Sequence, residues 1–158
     1  MSKKILIPLD GSEIGEAALH YVEEMVSALE VSKDVDIILI YILIQQSKNV
    51  AVHSGYGPDP FLSEEEIEHL KQNSLAYLEK SGEKLRNRGV NVTCNVVVAE
   101  INTSSAEHII KAEEDLDVDL VAMSTHGRRG IKRWAFGSVT EKVLRGGNVP
   151  VLVVRAKK

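Results

Sequence analysis

A chain of 158 residues, 44% hydrophobic and 27% charged, has the length of one globular domain and enough apolar material to build a core without staples. Its net charge of −4 excludes a surface built as a whole for nucleic acid or an acidic membrane, so any basic site must be local. The longest apolar run, around Ile37–Ile44, falls far short of the ~20 residues of a membrane span, and a single cysteine, Cys94, excludes an internal disulfide.

The opening MSKKILIPLD enters a strand at once, with no room for a signal peptide, so the expected setting is cytoplasmic. Lys4–Leu9 (KILIPL) is an unpatterned apolar run closed by Asp10-Gly11-Ser12, which fits a strand covered on both faces. Ser12 can cap a helix with an apolar stripe of Ile14, Ala17, Ala18, Tyr21, Val22, Met25, Val26 and Leu29. Asp36–Leu43 (DIILIYIL) is a second buried strand. From Gln45 to Leu62 the pattern dissolves into a loop, and one that long is either functional or mobile. Ser63 and Glu66 form a capping-box pair opening a long helix through Ile67, Leu70, Tyr77, Leu78 and Leu85, with Gly89 as its stop. Val92–Ala99 (VTCNVVVA) is the third strand. Ser104 and Glu107 are a second capping-box pair, opening a helix with Ile109, Ile110 and Ala112 inward. Leu120–Met123 and Val151–Val154 are strands four and five, with a short helix from Gly137-Ser138 between them.

Strict alternation of strands and helices predicts an α/β fold: an open five-stranded parallel sheet with helices on both faces. No internal repeat or boundary divides the chain, so residues 1–158 are expected to form one domain. Ligands of such sheets lie beyond the carboxyl ends of the strands, near the point where strand order reverses. That rule selects Leu9–Ser12, Tyr41–Gln46, Ala99–Ser104 and Met123–Ser138.

The last of these has the most unusual composition. Gly127 and Gly137 frame nine residues, of which Arg128, Arg129, Lys132 and Arg133 are cationic in an acidic protein. A helix starts at Gly137-Ser138-Val139-Thr140, where unbonded backbone N–H groups and the helix dipole favour an anion. Ser138 and Thr140 can add hydroxyl donors to phosphate oxygens. The stretch reads as a cradle for a di- or triphosphate. It is neither a P-loop nor a dinucleotide fingerprint, since G-x-x-x-x-G-K-[ST] and G-x-G-x-x-G are both missing from the sequence.

Met123-Ser124-Thr125-His126-Gly127, nine residues, then Gly137-Ser138-Val139-Thr140-Glu141-Lys142-Val143-Leu144-Arg145 and Pro150-Val151-Leu152-Val153-Val154 resemble the universal stress protein family. The opening KILIPLDGS resembles the family's start, so the likeness spans the chain. The resemblance implies strand order 3-2-1-4-5, ATP across the carboxyl ends of strands one and four, and homodimers joined through the last strand, Val151–Val154. Carried over by position, Asp10 holds the nucleoside end through ribose or adenine, while Pro8, Leu9 and Ile42 line the adenine slot. Met123 lies near base or ribose, Gly127 turns the chain under the phosphates, and Gly137, Ser138, Val139 and Thr140 wrap them. ATP is the expected ligand, with Mg or Mn as accompanying ion and AMP or ADP as substitutes.

One position departs from the G-x-x-G-x9-G-[ST] pattern of the family's nucleotide-binding members: Ser124 stands in place of the first glycine. If that glycine is needed for positive φ, Ser124 carries strain of about 1 kcal/mol. If it is needed for close approach, the side chain crowds the ligand. Alternatively the hydroxyl donates to a phosphate or ribose oxygen.

Other residues have plainer readings. Trp134 and Phe136 are expected to pack the loop onto the domain, His126 to hydrogen-bond within the loop, and Cys94 to be structural. His20, His53, His69 and His108 share no metal-ligand spacing. Hydrolysis needs a base and a positioned water, and no Walker-B acid or kinase catalytic loop is visible. The leading expectation is a regulatory, cytoplasmic, ATP-binding stress protein with no membrane or nucleic-acid partner and an unidentified protein partner. The alternatives are a slow ATPase or self-phosphorylating protein, with Ser138, Thr140 or Ser124 as acceptor, and a dimerisation module that binds no nucleotide.

Overall fold

Strand residues alternate between two faces, and the opening run is apolar at every step from Ile5 to Ile7, so it must be covered on both sides. The computed structural model, which describes residues 1–45, 62–125 and 136–156, has that arrangement. Its elements are β1 (Lys3–Pro8), α1 (Glu13–Ala28), β2 (Val35–Ile44), α2 (Glu64–Ser81), α3 (Glu83–Asn87), β3 (Asn91–Ala99), α4 (Ser105–Asp115), β4 (Leu120–Thr125), α5 (Ser138–Gly146) and β5 (Val151–Arg155). The sheet is parallel and five-stranded, in the order β3-β2-β1-β4-β5. Ile5 and Ile7 pack with Leu19, Val22 and Val26 of α1 and with Leu78 and Leu85 of α2 and α3. Leu6 between them packs on the opposite face with Ile109 of α4 and Val143 of α5.

Two helices differ from the sequence expectation. In α1 the buried line is Ala18, Leu19, Val22 and Val26, whereas Tyr21 and Leu29 are 47% and 62% exposed. The stripe is narrower than its apolar composition, because α1 presses one edge of itself onto the sheet. The expected single helix from Ser63 to Gly89 is broken at Gly82, which ends α2 and begins α3. A Cβ on Gly82 would stand 2.9 Å from Val92 of β3 and 3.3 Å from Leu39 of β2, so a side chain there would crowd both strands. Gly89, at φ +82°, closes the shorter helix α3. Both expected capping boxes are formed, Ser63 with Glu66 and Ser104 with Glu107.

Candidate functional site: a cleft at the carboxyl ends of β1 and β4

From β1 the sheet grows one way through β2 and β3, and the other way through β4 and β5, so the crossovers diverge at β1 and β4. Divergence leaves a gap beyond their carboxyl ends. A cleft of about 270 Å³ opens there. Pro8, Leu9, Ile42 and Met123 form an apolar wall, completed by Ile14, Ile109 and Phe136. The polar wall carries Asp10 and Ser12 on one side, Ser124, Thr125 and Ser105 in the middle, and Gly137, Ser138, Val139 and Thr140 on the other. Every expected site residue therefore meets in one place except Gly127. That glycine, with His53, His126, Arg128–Arg133, Trp134 and residues 46–61, lies outside the described residues. A larger opening of about 700 Å³ lies at the free edge of β3, between α2 and α4, and holds none of the expected residues.

Asp10 sits in a tight local turn. Its Oδ1 accepts hydrogen bonds from the Ser12 backbone N–H at 3.0 Å and the Ser12 hydroxyl at 2.6 Å. Ser12 Oγ in turn accepts from the Gly15 N–H at 3.0 Å and so caps α1. Gly11, at φ +82°, supplies the left-handed residue that this reversal requires. The Tyr41 hydroxyl donates to the Asp10 carbonyl at 3.4 Å, and its ring meets that of Tyr77 edge to face, centroids 6.2 Å apart. Tyr77 donates to Glu16 at 2.9 Å. Burial first, and the Glu16 carboxylate second, hold the Tyr77 hydroxyl well above the ordinary tyrosine value.

Three helix N-termini open on the cleft, those of α1, α4 and α5. Ser12 caps the first and Ser104 the second, each by side-chain acceptance of a backbone N–H. The third begins at Gly137, φ +76° and ψ +152°, with no side-chain cap. A helix start leaves up to four N–H groups without intrahelical partners, and α5 leaves its own to whatever lies in the cleft. Ser138 is exposed beside them, while Thr140 is 4% exposed and its hydroxyl donates to the Ser124 carbonyl at 3.5 Å.

Ser124 does not carry the backbone strain considered for it. It lies inside β4 and is not among the residues with positive φ, so no left-handed strain arises. Its hydroxyl is directed at α1, donating to the Gly15 carbonyl at 2.9 Å and accepting from the Ala18 N–H at 2.8 Å. Its hydroxyl is thus bonded twice within the protein, at a position that lines the cleft.

Thr125 fell within the selected Met123–Ser138 stretch but was given no role of its own. It is 7% exposed, lines the cleft, and its Oγ1 has no hydrogen-bond partner among the described residues. A buried hydroxyl without a partner costs about 1–3 kcal/mol, so its position in a ligand-sized cleft is informative. The only signal in the sequence was its place at the carboxyl end of an apolar strand. Ser12 lay in the selected Leu9–Ser12 stretch but was assigned to capping, while Ser105 and Ile109 were missed because they reach the cleft from a helix read as packing. Phe136 is half-buried and lines the cleft, where the sequence suggested loop packing alone. Among the described residues no three His, Cys, Asp or Glu side chains stand together as a metal-binding set. No helix among them is long and apolar enough to cross a membrane.

The family model described as the universal stress protein family matches residues 1–155. The curated protein MJ0577 of Methanocaldococcus jannaschii, a universal stress protein, is 33% identical over 165 residues, covering 99% of this chain and 97% of its own. A solved structure of MJ0577 superposes with a TM-score of 0.69 at 30% identity, covering 100% of this chain and 99% of that one. Two more distant structures share the fold. One is a universal stress protein from Archaeoglobus fulgidus in complex with dAMP (TM-score 0.58, 16% identity, 97% of both chains). The other is an Arabidopsis thaliana family protein with AMP bound (TM-score 0.62, 18% identity, 98% of this chain and 92% of that one).

Proposed function

The chain belongs to the universal stress protein family, and we propose that it binds an adenine nucleotide in the cleft between β1 and β4. The observation that carries this reading is the uncapped N-terminus of α5 at Gly137, beside two helix starts that are each closed by a serine. An anion completes such a terminus by accepting its N–H groups and meeting the positive end of the dipole. The unpartnered Thr125 hydroxyl adds a donor or acceptor in the same cleft. The apolar wall of Pro8, Leu9, Ile42 and Met123 suits a base, and Asp10 suits the sugar or base edge. A cleft of about 270 Å³ is near the lower end of ligand cavities, roughly 300–1,000 Å³, which fits a nucleoside end with phosphates directed toward Ser138. The relatives holding AMP and dAMP support an adenine nucleotide as the class.

ATP is the ligand expected here, with Mg or Mn at the phosphates and AMP or ADP as substitutes. The role is regulation of a stress response in the cytoplasm by a homodimer. Strand β5 is last in the sheet and paired on one side by β4 alone, and its Val151–Val154 are all partly exposed. An apolar edge of this kind invites pairing with a second copy. The test is to denature freshly purified protein, identify released nucleotide by mass spectrometry, and titrate stripped protein with AMP, ADP and ATP. An adenine nucleotide recovered in near-stoichiometric amount, or bound on titration, supports the reading. Absence of binding by all three sinks it.

A further inference from the structure

We infer that Ser124 is a positioning residue: its hydroxyl clamps α1 to the end of β4, and nucleotide affinity depends on that clamp without a Ser124–ligand contact. The inference rests on the nucleotide reading above. Backbone groups inside a helix normally bond only to each other, and a strand side chain reaches them only where helix and strand come unusually close. Here Ala18 is 0% exposed, and the Ser124 hydroxyl reaches both the Gly15 carbonyl at 2.9 Å and the Ala18 N–H at 2.8 Å. These contacts join positions 109 and 106 residues apart in the chain. One hydroxyl thus donates once and accepts once within the protein, so its proton is already committed to Gly15.

The clamp matters because of what α1 carries. Its first turn holds Ser12, and Ser12 holds the Asp10 carboxylate through two hydrogen bonds. On the other side the Ser124 carbonyl accepts from Thr140, in the first turn of α5. Ser124 therefore sets the separation between the wall bearing Asp10 and the wall bearing Ser138. A ligand spanning both walls needs that separation preset, and a loosened α1 must be reordered on binding, at a cost in affinity.

The experiment compares wild type, Ser124→Ala and Ser124→Gly by calorimetric titration with AMP and ATP, alongside hydrogen exchange at the amides of residues 15–19. Loss of the clamp is expected to weaken binding roughly three- to tenfold, the range for one or two neutral hydrogen bonds. Exchange at residues 15–19 of the ligand-free variants is expected to quicken. In wild type, saturating nucleotide is expected to slow exchange at Ala18, a readout that needs no variant to fold. Unchanged affinity in both variants overturns the inference. Weakened affinity with unchanged exchange at α1 also overturns it, in favour of direct contact with the ligand. A wild type that binds neither nucleotide overturns the nucleotide reading itself, and is told apart because it appears before any substitution is made.

Discussion

The carboxylate of Asp10 stands where a side chain on Gly15 would begin: a Cβ built on Gly15 would lie 2.6 Å from Asp10 Oδ1 and 3.2 Å from Ser12 Oγ. Gly15 is thus kept out of side-chain space by the very group proposed to hold the nucleoside. Replacing it with alanine sets two effects against each other. Helix propensity favours alanine by about 1 kcal/mol. The new methyl must displace the exposed Asp10 carboxylate, which rotates away and gives up its bonds to Ser12. For Gly15→Ala the expected outcome is a denaturation midpoint near that of wild type and markedly weaker AMP and ATP binding. Urea denaturation and calorimetric titration of the same samples check the two halves separately.

Gly137 offers a second separation of stability from binding. At φ +76° and ψ +152° the backbone lies in a region open essentially to glycine alone, where another residue costs about 1–3 kcal/mol. Gly137→Asp adds a negative charge at a helix start, which returns about 0.3–1 kcal/mol. The return offsets only part of the strain, so the fold should persist with a moderately lowered melting temperature. The ligand side loses more, because the carboxylate competes for the N–H groups left for phosphate and repels it. Nucleotide binding should fall by more than about tenfold, with ATP losing more than adenosine. Equal losses for ATP and adenosine would move the phosphates away from α5.

Thr125 is a case where the protein should be improved by damage to its site. Valine has threonine's shape without the hydroxyl, and the hydroxyl is buried with no partner among the described residues. Thr125→Val is expected to stabilise the ligand-free protein by about 1 kcal/mol, since a desolvated polar group is removed at nearly constant volume. The same change should weaken nucleotide binding. Thermal melts with and without saturating ATP are the measurement: the midpoint rises in the ligand-free variant and its ligand-induced shift shrinks. A lowered midpoint in ligand-free Thr125→Val would mean that the hydroxyl has a protein partner after all.

What could be read in the chain, and what could not, divides along range. The doubly covered strand Ile5–Ile7, the two serine capping boxes and the parallel sheet were legible because each rests on neighbouring residues or on the alternation of whole elements, whereas the strand order was implied by the family resemblance. The lack of room for a side chain at Gly82 was not legible, since Val92 and Leu39 approach it from two strands. Tyr21 and Leu29 match the helical period but fall outside the stripe that α1 presses to the sheet. Ser124 is the sharpest case. Its position in the pattern marked it as important, but its partners Gly15 and Ala18 lie more than a hundred residues away, so its role needed the tertiary structure. The unpartnered hydroxyl of Thr125 was not legible, because a missing hydrogen-bond partner has no sequence pattern.

Carboxyls at the opposite end of the sheet contribute to the acid response, alongside Glu107, which its capping bond to the Ser104 N–H holds below the ordinary range. Asp119 lies just before β4, donating no proton but accepting from Lys3 Nζ at 2.7 Å and the Lys4 N–H at 2.9 Å. Those two contacts, the Lys3 one first, hold its carboxyl below the ordinary range. Asp36, at the start of β2, is lowered as well, chiefly by the Ser2 hydroxyl and then by the Asn91 amide. A carboxyl lowered in the folded state is protonated first in the unfolded one. Its contribution is therefore complete above the unfolded value of about 4, and is lost as pH falls through that value and then through the lowered folded one. Both groups are only partly buried, so the effect is screened by salt and modest. Stability should decline from about pH 5 toward pH 3, more gently at high ionic strength. In Asp119→Asn the same decline should be shallower, because one depressed carboxyl no longer titrates, while stability at neutral pH drops slightly with the lost Lys3 pairing. Urea midpoints measured across that range decide it: an identical slope in Asp119→Asn would show that Asp119 does not couple the Lys3–Lys4 start of β1 to β4.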